Sequence, residues 1–182
     1  MVRGLLWVLA AVLLGGIVHL STVLAMPQAA KQDAYSRLAQ LTPVNAMAPL
    51  AATKAGVEIM PFMDPAFAAA VCRYDLSDGP LKLIAPVSQA YTSVTFYTRR
   101  SVAFYAINDR AAGRRTIELD LMTAAQHAQV PEDEEVTAAD RLIIESPTTM
   151  GLIVLRALAP EPSLMPMARR ALAAATCRIQ SQ

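Results

Sequence analysis

Asn108-Asp109-Arg110, with Arg114 and Arg115 a few residues further on, is the densest polar run in this 182-residue chain. Guanidinium forks hold carboxylate or phosphate bidentately, so Asp109, Arg110, Arg114 and Arg115 read as an anion-binding patch. A plainer alternative takes precedence: Asp109 pairs with a loop arginine and steadies the turn by ~0–1 kcal/mol. His127 is the only histidine beyond the first 30 residues. It lies just before Pro131 and the acidic stretch Glu132-Asp133-Glu134-Glu135, where it reads as a solvated helix-end residue rather than a general base. Gly56, Gly79, Gly113 and Gly151 stand alone, so no glycine pattern cradles phosphate, and no G-x-S-x-G elbow presents a serine nucleophile. No His, Cys or carboxylate spacing suits a metal, so neither a metal site nor a cofactor is expected.

Cys72 and Cys177 each close an alanine-rich segment and each precede an arginine. A bridge between them would close a loop of about 105 residues, worth at most ~4–5 kcal/mol in the chain-entropy model. The alternative, two small buried hydrophobes, is common for free cysteine, and both readings stand.

The elements that must position these residues begin with an apolar segment. Residues 4–30 carry no Asp, Glu, Lys or Arg. Within them, residues 5–25 at ~1.5 Å of helical rise each reach roughly 31 Å, the thickness of a bilayer's hydrocarbon core. A cleaved signal peptide is the competing reading, with Arg3 as its basic flank and Val23-Leu24-Ala25 before the cut. The apolar run is longer than such a peptide needs, which favours an uncleaved signal-anchor. Ala11, Gly15, His19 and Thr22 share one stripe at helical spacing. Small residues there let a second helix approach, and His19 can hydrogen-bond across the contact. His19 also lies near enough to the outer end to reach the headgroups, which is the simpler account. Arg3 weighs against Lys31 and Arg37 across the segment, and a short N-terminus before a large domain places that domain outside the cytoplasm.

The remaining ~157 residues suit one domain with a real core. Setting Arg3 aside, 15 basic residues meet 15 acidic ones, a balance that argues against nucleic acid. The chain divides into an anchor over 1–26, a helix and Pro/Ala-rich connection over 27–62, and a soluble domain over 63–182. Periodicity predicts a helix over 29–41, with Ala34, Tyr35, Leu38 and Leu41 on one face. Asp64-Pro65 reads as a helix start, for a short helix reaching about Cys72. Strands follow over 81–85, 91–98, 102–108 and 116–122, where Ile117, Leu119 and Leu121 alternate with Glu118 and Asp120. Hairpin-sized loops join the last three into an expected antiparallel meander. Strands over 141–145 and 151–158 and a helix over 163–178 complete the chain. The fold class is α+β: an N-terminal transmembrane helix, then a mainly antiparallel sheet, a sandwich or partial jelly roll, with short helices at both ends.

Several short runs carry a family resemblance: Gly16-Ile17-Val18-His19-Leu20-Ser21, Asp33, Tyr35, Arg37 and Leu38, then Asp64-Pro65 and Cys72-Arg73-Tyr74-Asp75-Leu76 with Gly79-Pro80. Asn108-Asp109-Arg110, Ser146-Pro147, Gly151 and Leu155-Arg156 complete them. In these the chain resembles small predicted inner-membrane proteins of alphaproteobacteria, in the domain-of-unknown-function family numbered twelve-fifty-four. The resemblance implies a β-rich, jelly-roll-like domain that larger relatives fuse to a second uncharacterised domain. It implies that the short form stands beside a separate protein carrying that second domain, and it supplies no catalytic residues. Six expected strands fall short of the eight of a full jelly roll.

Two functions of different class follow. The first is a non-enzymatic binding or interaction module, anchored in the bacterial inner membrane by a single pass with its C-terminal domain in the periplasm. Its expected partner is a sibling envelope protein or a second copy of itself. The second is an envelope hydrolase or transferase with a polar site around Asp109 and Arg110, joined by His127. A concave polar pocket at that site would favour the enzyme, and an exposed apolar sheet edge the binding module.

Overall fold

Side chains that alternate between core and solvent set the strands, and in the computed structural model of this chain they assemble into two sheets. The structure describes residues 2–29, 33–51, 60, 63–113, 115–130 and 142–180, in two compact units, Met1–Asp33 and Ala34–Gln182. The first unit is helix α1 (Val2–Ala29). Its stretch Val2–Met26 is long and apolar enough to cross a membrane, with mean hydropathy 2.2 and no buried side chain. Lys31 lies outside the described residues.

The second unit contains α2 (Ala34–Ala39), β1 (Met47–Pro49), β2 (Phe67–Asp75), β3 (Leu81–Pro86), β4 (Thr92–Thr98) and β5 (Ala103–Asn108). Next come α3 (Asp109–Ala112), β6 (Thr116–Thr123), α4 (Ala124–His127), β7 (Leu142–Ser146), β8 (Met150–Leu158), α5 (Met165–Ala173) and β9 (Thr176–Ile179). One sheet has the order β1-β2-β8-β4-β5 and the other β7-β6-β3-β9. Every pairing is antiparallel except β6 with β7. A parallel pair needs a long connection, and residues 124–141 separate β6 from β7 in the chain. The fold is therefore α+β, a mainly antiparallel sandwich with short helices.

One core lies between the sheets. Ala70, Cys72 and Tyr74 of β2, Phe96 of β4 and Ile153 and Leu155 of β8 meet Leu81 and Leu83 of β3 and Leu119 and Leu121 of β6. Helix α5 packs on β1, β2 and β8 and buries Ala168 and Leu172. A disulfide between Cys72 of β2 and Cys177 of β9 crosses from one sheet to the other, with 6.4 Å between the Cα atoms.

Four expectations about local structure are overturned. The alanines after Asp64-Pro65 form the strand β2, not a helix. Alanine's helical preference is below ~1 kcal/mol per residue, while β2 is held between β1 and β8 with four side chains in the core. The Asp64 carboxylate instead accepts the Ala66 amide at 2.9 Å, closing a turn into the strand. Of the helix expected over 29–41, residues 30–32 lie outside the described residues, and the described helix is α2, which ends at Ala39. The Leu41 and Thr42 amides both bond the Leu38 carbonyl at 2.9 Å, and Pro43 follows. The helix expected over 163–178 stops at Ala173, after which the chain pairs Cys177 with Leu83 as β9. The meander is also broken: β4 and β5 form a hairpin, but β6 belongs to the other sheet.

The cause of that break is α3. Asn108 caps its start by accepting the Ala111 amide at 2.8 Å. Gly113 ends it at φ 61, a left-handed conformation that glycine adopts without steric cost. One helical turn thus carries the chain across the sandwich where a hairpin had been expected.

Candidate functional site

Beside their inner faces, strands β2 and β8 carry apolar outer residues, Phe67, Ala69, Val71, Leu152 and Val154, which require cover outside the sheet as well. On the outer face, Val71 and Leu152 form a second buried cluster with Tyr35 and Leu38 of α2, and Leu50, Met60, Tyr97 and Val154 pack against it. Among the described residues the cover is incomplete. A cavity of about 290 Å³ remains, walled by Leu38, Leu50, Met60, Met63, Phe67, Ala69, Val71, Leu152 and Val154, with Asp64, Tyr97, Ser101 and Arg156 as its polar members. Beside it the Tyr35 ring takes two guanidinium groups, Arg73 at 5.4 Å and Arg99 at 4.1 Å from its centroid. Arg73 also donates from Nε to the Thr42 carbonyl at 3.0 Å, which fixes the loop after α2 to β2.

The polar run singled out in the sequence takes a different form. Asn108 is spent on capping α3. Asp109 and Arg115 share an open depression of about 480 Å³ with Val87, Ser88, Gln89 and Gly113. The Asp109 carboxylate accepts the Thr92 amide at 3.4 Å. Arg110 is exposed and does not line that depression. Arg114 lies outside the described residues, as does the acidic stretch 132–135. Among the described residues, no ion pair joins Asp109 to Arg110 or Arg115.

His127 ends α4, and its Nδ1 meets the Glu145 carboxylate of β7 at 2.6 Å, both side chains about half exposed. Asp109 precedes β6 in the chain and His127 follows it, with the eight-residue strand between them. In α1, Ala11, Gly15, His19 and Thr22 are all exposed, a methyl group at Gly15 would meet nothing within 4 Å, and Thr22 donates back to the Val18 carbonyl at 2.8 Å. Among the described residues no three His, Cys, Asp or Glu side chains gather to hold a metal.

A buried polar cluster was not anticipated. The Tyr74 hydroxyl donates to the Tyr97 carbonyl at 3.2 Å and lies 3.0 Å from Ser146 and 3.4 Å from Thr148. Burial pushes its pKa above the ordinary tyrosine value, against the opposing pull of the Ser146 and Thr148 hydrogen bonds. The outer-face cavity was missed too, although a signal for it was present. Leu152-Ile153-Val154-Leu155 is an unbroken apolar run within a strand, and such a run marks a sheet covered on both sides.

A family model described as "Protein of unknown function (DUF1254)" matches residues 63–178. The fold is similar to the crystal structure of a protein from Vibrio parahaemolyticus, with a TM-score of 0.59 at 12% identity, over 81% of this chain and 33% of that one. A crystal structure of an uncharacterized protein from Burkholderia cenocepacia matches with a TM-score of 0.46 at 13% identity, over 74% of this chain and 34% of that one. The chain thus spans about a third of the length of the solved structures it matches. No curated protein matches it.

Proposed function

This chain belongs to the DUF1254 family of proteins of unknown function, and from that premise we propose that it is a membrane-anchored, non-enzymatic interaction module. It sits in the bacterial inner membrane by a single pass, with its sandwich on the periplasmic side, and binds a second envelope protein or a second copy of itself. The observation that carries this reading is the edge strand β5. Among the described residues it pairs only with β4, so one row of its backbone groups is open to another strand. Residues 103–108 carry no charge, Val102 is 62% exposed beside them, and Ala103 and Ala106 are exposed along the strand. The register shift beside Phe96 and Tyr97 leaves 105–108 in regular pairing, the geometry that strand addition needs.

Two further features support a partner. The stripe of Ala11, Gly15, His19 and Thr22 suits a close helix contact in a bilayer. The similar Vibrio parahaemolyticus chain is about three times as long as its matching part, so the corresponding fold there has more protein beside it. Crosslinking in intact membranes tests the proposal. A specific adduct is expected that weakens when Gly15 and His19 are replaced by leucine, with the folded domain unchanged. A monomer without adduct, the same before and after Gly15→Leu and His19→Leu, refutes it.

A further inference from the structure

We propose that the cavity on the outer face of the five-stranded sheet binds the hydrocarbon chain of a fatty-acid anion, with Arg156 meeting the carboxylate. At about 290 Å³ the cavity is at the lower end of the range for small-ligand sites. Its walls are aliphatic and aromatic, and Met60 and Met63 supply thioethers that adapt to a flexible chain. A second cavity of about 490 Å³ shares Leu50, Met63, Phe67 and Ala69 with the first and extends past Pro160 and Met165. An extended chain can therefore continue from one to the other.

The polar groups suit one charged end and little more. Tyr97, Ser101, Asp64 and Arg156 are too few to satisfy the hydroxyls of a sugar or the edges of a base. Asp64 already accepts the Ala66 amide through Oδ1. Arg156 is exposed at the wall, opposite Ala69 of β2, and forms no ion pair among the described residues. Arg73 and Arg99, stacked on Tyr35 of the same face, add positive potential near the cavity. A carboxylate is the complement of that arrangement, and an acid released from membrane lipid is the source a membrane-spanning chain would meet.

The test uses the full chain in phosphatidylcholine nanodiscs and dodecanoate bearing a terminal diazirine, with adducts mapped by peptide mass spectrometry after photolysis. Adducts are expected on peptides containing residues 67–71 and 152–156. Excess dodecanoate should suppress them, and dodecyltrimethylammonium should not. Arg156→Gln, a change at an exposed position that spares the fold, should lower this labelling about tenfold, as loss of a charged hydrogen bond would. Ala69→Phe, which fills the cavity, should abolish it at an unchanged circular dichroism spectrum. Labelling confined to α1 overturns the proposal, as does cavity labelling that the cationic amphiphile displaces equally or that Arg156→Gln leaves unchanged.

Discussion

Gly151 and Tyr74 are paired across β2 and β8, and the fit between them leaves no room for another atom. A Cβ at Gly151 would lie 2.1 Å from the Tyr97 carbonyl oxygen and 2.4 Å from the Tyr74 hydroxyl. One of those neighbours is backbone in the middle of a sheet and cannot yield. Gly151→Ala is therefore expected to cost about 3 kcal/mol or more, read as a lower urea midpoint with an unchanged slope. Tyr74 makes a separate prediction about pH. Burial raises its folded pKa above the unfolded value of 10.0, so the folded state holds the phenolic proton more tightly. Stability from this source is complete below pH 10.0 and falls as pH rises from there toward the folded pKa. Urea midpoints measured across that alkaline range should decline, and less steeply in Tyr74→Phe. An identical slope in the variant would assign the decline to other groups.

At the scale of elements, the sequence was most legible where one face of a strand meets the core and the other meets water. Ile117, Leu119 and Leu121 point inward and Glu118 points outward, where it pairs with Lys82 of β3 at 2.5 Å. Asp120, expected on the outer side with Glu118, is instead buried and accepts from the Gln180 side-chain amide. The alternation gave β6 to within a residue at its C-terminal end. β2 was illegible for the opposite reason: Ala68, Ala69, Ala70 and Val71 show no alternation, and local preference pointed to a helix. Its state is decided by β1 and β8, distant in sequence, and a single-sequence reading has no access to them. The same holds for β9, whose four residues become a strand through β3 and the bond from Cys177. Nothing local to residues 102–122 separated a hairpin from a crossover except Asn108 and Gly113. Their cap chemistry is the local signal for the short helix between them. Of the polar run, Arg110 lies in solvent on the short helix, while Asp109 and Arg115 border one depression.

Across the whole molecule, the disulfide ties the stability of the folded domain to the redox state of its surroundings. Cys72 and Cys177 are separated by 105 residues and join the two sheets, so the bond constrains most of the folded chain when it unfolds. In the chain-entropy model a loop of that length is worth ~4–5 kcal/mol, a large share of a small domain's total stability. Such a bond persists outside the cytoplasm, while cytosolic thiol buffers hold cysteines reduced. Cells expressing the full chain can be quenched in acid, denatured and treated with a thiol-reactive maleimide before any reductant is added. No cysteine should then be labelled, and reduction should release two thiols per chain for alkylation. The alkylated protein should unfold at a much lower urea concentration, by a difference approaching the loop-closure value. Two thiols labelled before reduction would place the domain in a reducing compartment and remove the periplasmic half of the proposed function. Complete protection would put the domain, and with it the edge β5, in an oxidising compartment, as the proposed periplasmic side requires.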